Sequence, residues 1–355
     1  MNARQHGSDE MVIVGLGLCT PLGLTARTTQ VEMAAGTVRF FETGVLDATG
    51  EPVRASVLKL LDPRLSRTER MVSLAVTALQ EALKEVAPHD LAHLPLLLAL
   101  PEPGSGAPFD MEAVRGVLNR AAAPVRLEVS KDALFHEGRA GLFRALAEAT
   151  QILKSRQASW VLVGGVDSMC DRQSLAHHAR TGRTLGPGTP DGILPGEGAG
   201  FILLTSTELS RQRRLKSRGR VLGCALSHEP HSFLQRKPNM AEGLTNAFRQ
   251  LRLHPLTGAR RVDHILSCQT GETFWAQEFN YAYLRNAALM PEPLTMSQVA
   301  ESLGDAGAAA GAIQLGSALH LLGRLEKSSE EPVRILIYGC ADAGQTGACI
   351  IEGDT

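Results

Sequence analysis

Residues 302–316 read SLGDAGAAAGAIQLG, a run of Gly and Ala that leads into an apolar stretch and carries one carboxylate, Asp305. Apolar residues continue at helical spacing, which predicts a helix over 306–324. Gly and Ala at its start leave room for another backbone to come close, as expected of a helix buried on several sides. Residues 138–168, GRAGLFRALAEATQILKSRQASWVLVGGVDS, follow the same grammar of small-residue start, apolar helix, polar turn and strand. The stretch 306–344 repeats it about 170 residues later, the pattern of a duplicated α/β fold. Two buried helices in unrelated places would read the same way, and the sequence leaves that alternative open.

The rest of the chain is consistent with an α/β protein. Runs at 11–17, 93–100, 125–130, 160–168, 201–206, 262–269 and 333–341 read as strands, and 68–86, 139–156 and 240–253 carry helical periodicity. With 355 residues, 44% of them hydrophobic and a formal net charge of -1, the chain is long enough for two domains or one large fused unit. The near-neutral charge gives no general attraction to nucleic acid or to an anionic membrane. The opening MNARQHGSDEMVIVGLG lacks a basic region followed by a long apolar core, and no run approaches the roughly 20 apolar residues of a membrane span. A cytoplasmic location is expected. Cys19, Cys170, Cys224, Cys268, Cys340 and Cys349 are scattered singly, so reduced thiols are expected, with no metal and no cofactor.

Four stretches together resemble the β-ketoacyl synthases of the thiolase fold. MVIVGLGLCTPLG is similar to that family's opening strand and turn, WVLVGGVDSM to its strand after the nucleophile helix, DGILPGEGAGFILL to its GEGAG hairpin, and SLGDAGAAAGA to its GHxxGAAGA segment. Gly164, Gly165, Gly196, Glu197, Gly198, Gly200, Gly304 and Gly311 carry the likeness and are assigned structural roles. The GLGLCTPLG glycines fit this turn better than a phosphate loop, since GxGxxG spacing and a Lys-Ser pair are absent. The resemblance implies an α-β-α-β-α layering with two buried central helices, an N-terminal half over 10–207 and a C-terminal half over 208–355. The segment before residue 138 is shorter than in a typical ketosynthase.

The resemblance also locates the family's catalytic positions. Its nucleophilic Cys falls at Gly138 or Arg139, its first His at Cys268 or Gln269, its Lys at Ala300 and its second His at Asp305. The gating Phe becomes Ala343 and the last loop residue Gly347. An ionised Asp would repel a developing oxyanion where the family's His stabilises one. A protonated Asp would need a strongly raised pKa to donate there. Without the thiol, covalent acyl transfer has no starting point.

Other readings compete for these residues. Cys268, His136 and Glu137 could form a nucleophile, base and orienter; equally, Cys268 is a buried strand-end thiol and the other two belong to an exposed turn. Asp305 could simply cap the helix that follows. RQRRLKSRGR at 211–220 could dock an acidic carrier protein or be a solvated helix end. TFWAQEFNYAYL at 273–284 reads as core or interface. The expected function is therefore that of a non-catalytic binding or scaffold subunit. It would act as a homodimer, or as a chain length factor-like partner of an active ketosynthase in fatty acid or polyketide synthesis, with an acyl chain or carrier protein as ligand. An adaptor for a secreted effector and a thioester hydrolase or acyltransferase using Cys268 are the alternatives.

Overall fold

The computed structural model describes residues 10–91, 93–235, 237–258, 260–325 and 331–354. Most of the opening segment read for a leader lies outside the described residues. The first half runs β1 (Met11–Cys19), α1 (Ala26–Ala34), β2 (Phe41–Leu46), β3 (Pro52–Ala55), α2 (Arg67–Ala82), β4 (His93–Ala99), α3 (Met111–Ala121), β5 (Arg126–Glu128), β6 (Leu134–Phe135), α4 (Gly141–Lys154), β7 (Trp160–Ser168), α5 (Arg172–Arg180), β8 (Glu197–Ser206) and α6 (Thr207–Arg213). The second runs β9 (Gly219–His228), α7 (Glu242–Leu253), β10 (His264–Ser267), α8 (Thr273–Arg285), β11 (Met296–Gln298), α9 (Ala300–Leu303), α10 (Ala310–Leu325), β12 (Arg334–Cys340) and β13 (Gln345–Glu352).

Strand order shows the duplication directly. The sheet runs β11-β10-β12-β13-β9-β1-β8-β7-β4-β5, with β6 beside β4. Outward from the centre, each half places its first strand, then its last, then the strand before it, then two more joined in parallel. Directions match as well: β1–β8 and β7–β8 are antiparallel, as are β9–β13 and β12–β13. Three residue pairs between β1 and β9 join the halves, Met11 with Val221 at one end and Ile13 with Gly219 at the other. By position in this scheme α2, α3 and α4 correspond to α7, α8 and α10.

Hydrophobic burial sorts these elements into layers. Leu142, Phe143 and Leu146 of α4 and Ile313 and Leu315 of α10 share one cluster with Leu18 and Ile202 of the first half and Ile335 and Ile337 of the second. Leu74, Ala78 and Leu79 of α2 cover the other face of the first half through Val12, Leu96 and Phe201. Phe248 and Phe279 of α7 and α8 cover the second through Leu336 and Ile350. The result is the expected α-β-α-β-α stack with α4 and α10 in the middle.

Two glycines set how closely the middle layer packs. A Cβ on Gly311 would lie 2.8 Å from Leu142 Cβ, so α10 approaches α4 only because that position is bare. A Cβ on Gly165 would lie 2.2 Å from the Ala308 carbonyl oxygen, a backbone atom that cannot swing away. Gly165→Ala should therefore lower stability by about 1–3 kcal/mol, read as a lower urea midpoint at unchanged m-value. Gly116→Ala on α3, where the nearest neighbour is Arg120 Nη1 at 3.5 Å, should be neutral or stabilising by up to about 1 kcal/mol.

Candidate functional site

The N-termini of α4 and α10 point into one region, where the 3₁₀ turn Gly138–Ala140 meets the turn Gly307–Ala309. Each helix end presents unsatisfied N–H groups and partial positive charge, so carboxylates are stabilised there. Asp167, at the end of β7, accepts from the Ala308 N–H at 3.0 Å, and Asp305 accepts from the Gly307 N–H at 2.9 Å. Asp305 thus caps the turn, and its second oxygen is turned toward Arg139.

Arg139 is buried and uses every nitrogen of its guanidinium. Nη1 donates to Asp305 Oδ2 at 2.6 Å, Nη2 to Asp342 Oδ1 at 2.6 Å and Nε to the Cys340 carbonyl at 3.0 Å. The guanidinium carbon sits 4.7 Å from the centroid of Trp275, whose indole N–H donates to Glu272 at 2.8 Å. Burial opposes the charge of Arg139, but Asp305 and Asp342 outweigh it and push its pKa well above the ordinary value. The turn, two loops and α8 are cross-linked through one cation.

A second cation extends the network. Arg183 donates to Glu272 Oε1 at 3.0 Å and to both oxygens of Asp342, and lies over the Phe233 ring. Burial would raise the Asp342 pKa, but Arg139 and Arg183 together hold it down to about 2. Glu102 accepts from the Asp342 and Ala343 N–H groups at 2.9 and 3.0 Å. Burial, followed by repulsion from Asp342, raises its pKa to about 7. His178 is 2% exposed, and burial followed by the charge of Arg183 lowers its pKa to about 4, so its imidazole is neutral.

The space among these groups is small. A cavity of about 10 Å³ remains between Glu102, Gly138, Arg139, Asp305 and Asp342, room for a single water molecule. A cavity of about 690 Å³ opens above it, bordered by Glu102, His178, Arg183, Phe233 and Phe274. Gly138 has φ +49°, and a Cβ there would lie 2.6 Å from Glu102 Oε1. The turn is closed to a side chain at that position.

The residues weighed in the sequence as nucleophile, base and orienter do not converge. His136 is exposed, stacks on Phe109 and lies 3.3 Å from the Pro101 carbonyl. Glu137 is half-buried with Arg144 as its nearest influence. Cys268 is buried among the residues that pack α8 onto the second half, and its thiol contacts Cys340. Gln269 donates to the Tyr338 hydroxyl at 3.3 Å. Ala300 begins α9 and its carbonyl accepts the Gly304 N–H, where Gly304 turns with φ +65°. Ala343 meets the site only through its N–H, and Gly347 packs against Phe143.

Other expectations are resolved by burial and pairing. Glu197 is fully buried and holds Arg70 through two hydrogen bonds of 2.8 and 2.7 Å, Ser168 at 2.8 Å and the Leu58 N–H at 2.7 Å. In the basic run, Arg213, Arg218 and Arg220 pair with Asp90, Glu85 and Glu352, leaving less free positive charge than the sequence suggests. Trp275 and Phe279 are core while Tyr281 is 43% exposed. Among the described residues no group of His, Cys, Asp and Glu is arranged to hold a metal ion, and no helix is long and apolar enough to cross a membrane.

Comparison with known proteins agrees with this architecture. The sequence model of the β-ketoacyl synthase N-terminal domain matches residues 140–210. No curated protein matches the chain. Among solved structures, the ketosynthase from module 6 of the bacillaene synthase of Bacillus subtilis 168 superposes with a TM-score of 0.80 at 12% identity, covering 98% of this chain and 72% of that one. The ishigamide ketosynthase/chain length factor gives 0.76 at 18% identity, covering 98% and 100%. A type II polyketide synthase acyl-carrier protein in complex with its ketosynthase bound to the hexaketide gives 0.79 at 14%, with the same coverage. The fold is the thiolase-like fold of the ketosynthases.

Removing the central cation should expose the cost of the buried acids. Arg139→Met leaves Asp305 without its counter-charge and Asp342 with Arg183 alone, and should cost about 3–5 kcal/mol near neutral pH in chemical denaturation. Because Asp342 is held below its ordinary value, the stability it contributes is present above about pH 4 and is lost as pH falls toward about 2. The gap between wild type and variant should narrow over that range. Glu102 has the opposite sign: its folded pKa is raised, so its contribution is lost as pH rises from about 4.5 to about 7. Carboxyl carbon NMR should place its titration near 7, and Glu102→Gln should flatten the decline in stability across that window.

Proposed function

We propose that this chain is a non-condensing ketosynthase-fold subunit that pairs with an active ketosynthase, in the manner of a chain length factor, during fatty acid or polyketide assembly. The reading rests on one observation. Where the resemblance places the family's nucleophile and second His, this chain has Arg139 bound to Asp305, and about 10 Å³ is left around them. A condensing enzyme needs a thiolate, an oxyanion hole and space for the acyl carbon at that point. Arg139 supplies no nucleophile, since its guanidinium stays protonated and each of its nitrogens donates a hydrogen bond. Asp305 stands as a cation's partner, with both oxygens engaged.

The fold likeness to a ketosynthase/chain length factor along 98% of this chain accords with the heterodimer. The competing reading, an acyl transfer through Cys268, lacks a base: the thiol is buried against Cys340 and Tyr338, and His136 lies on the exposed side near Phe109.

Affinity purification of the tagged chain from its own cells tests the proposal. An active ketosynthase recovered in equal amount is the expected result. Recovery of the chain alone, together with labelling by an acyl-thioester probe that Cys268→Ala abolishes, would overturn it. Arg139→Cys should give no condensation with acyl- and malonyl-carrier thioesters, because the replaced His and Lys positions remain.

A further inference from the structure

A separate cavity lies beside α5. Among the described residues the hairpin β2–β3 pairs with no other strand, and it folds over α5. Under it, Val53, Ala55, Cys170, Leu175 and Ala179 form a small hydrophobic cluster of their own, flanked by Val45 and Val57. Between hairpin and helix opens a cavity of about 700 Å³. That volume falls within the roughly 300–1,000 Å³ of small-molecule sites. It shares no lining residue with the cavity around Arg139, and α5 stands between the two.

The cavity is divided by chemistry. Val45, Val57, Cys170 and Leu175 make an apolar floor, and Lys59, Arg64 and Arg172 stand at its rim. The charges are not equally committed. Arg64 is held by Asp62 at 2.7 Å, and Arg70, at the back, by Glu197. Lys59 has only the face of Phe41, 3.5 Å from the ring centroid, and no carboxylate partner is found for it or for Arg172 among the described residues. Glu42, the acid of the lining, lies opposite Arg54 in the hairpin register, on the exposed face of β2. Two unpaired cations therefore border an apolar trough, and Leu60, beside Lys59, is 75% exposed.

An occupant must satisfy both parts at once. A small inorganic anion would leave the floor wet, and a neutral hydrocarbon would leave the two cations unanswered. We propose that this cavity binds a single-chain fatty carboxylate, with its headgroup between Lys59 and Arg172 and its chain laid along Val45, Val57 and Leu175. Charge complementarity fixes the head and the apolar floor fixes the tail. The proposal stands independently of the pairing with a ketosynthase, because none of its residues touches Arg139, Asp305 or Asp342.

Calorimetry of the full chain with dodecanoate, below its micellar concentration, tests it. Saturable binding at one site is expected, weakened at least tenfold by the double variant Lys59→Glu/Arg172→Glu, whose positions are both exposed. Val57→Trp, which fills the trough, should weaken dodecanoate to a similar degree without altering the far-ultraviolet circular dichroism. Acetate should bind at least tenfold more weakly than dodecanoate. Absence of binding to the wild type, equal affinity for acetate, or affinity untouched by both variants would overturn the proposal. So would concentration-dependent self-association that the double variant abolishes in the absence of dodecanoate, since the face would then belong to a second copy of the chain.

Discussion

Two helices buried in the middle of a layered molecule impose the constraint from which the rest follows. α4 and α10 can lie there only because positions such as Gly165 and Gly311 carry no side chain. Their N-termini then face each other with no bulk water to answer the exposed N–H groups. Carboxylates must be brought in, and Asp167 and Asp305 take that place. Buried carboxylates in turn demand cations, which Arg67 provides for Asp167 at 2.8 Å and Arg139 for Asp305. The ionic network is a consequence of the helix layer.

Such a network is an uncertain source of stability, because removing charges from water costs several kcal/mol per ion and good geometry only offsets it. Its effect on shape is more definite. Arg139 draws its three acceptors from the turn before α10 and from the end of β12 and the loop after it, so these segments hold one relative position. Glu102 adds a clamp on the Asp342 and Ala343 amides. A catalytic pocket in this place would need mobile or solvated groups and room for a substrate. The same elements here are packed around a cation, each of whose three nitrogens donates to a partner.

The sequence made the repeated units legible because their signals are local. Runs such as 160–168 and 333–341 are apolar over a strand's length, and α4 and α10 announce themselves by Gly and Ala. β9 and β13 escaped notice: GRVLGCALSH and QTGACIIE are broken by Gly, Ser and Thr, and they become strands by pairing with each other along eight positions. α5 is nearly as polar as a loop and is held by Asp171 at its N-cap and by Leu175 beneath the hairpin. At the site, the positions of Arg139 and Asp305 could be located from flanking glycines, but their bond could not. Asp342 lies 203 residues from Arg139, and Arg183, Glu272 and Glu102 enter from separate loops with no common motif. One signal was available: Asp342 directly follows the apolar run ILIYGCA, and an acid at the end of a buried strand needs a cation from elsewhere.

The matched strand order of the two halves has a further consequence. Corresponding turns, before α4 in one half and before α10 in the other, have come to bear opposite charges, Arg139 against Asp305. If two first halves associated through this face, guanidinium would meet guanidinium without water between them; two second halves would set carboxylate against carboxylate. The Arg139–Asp305 pair is complementary only between unlike halves. A molecule built by repetition has in this way made its two copies non-interchangeable.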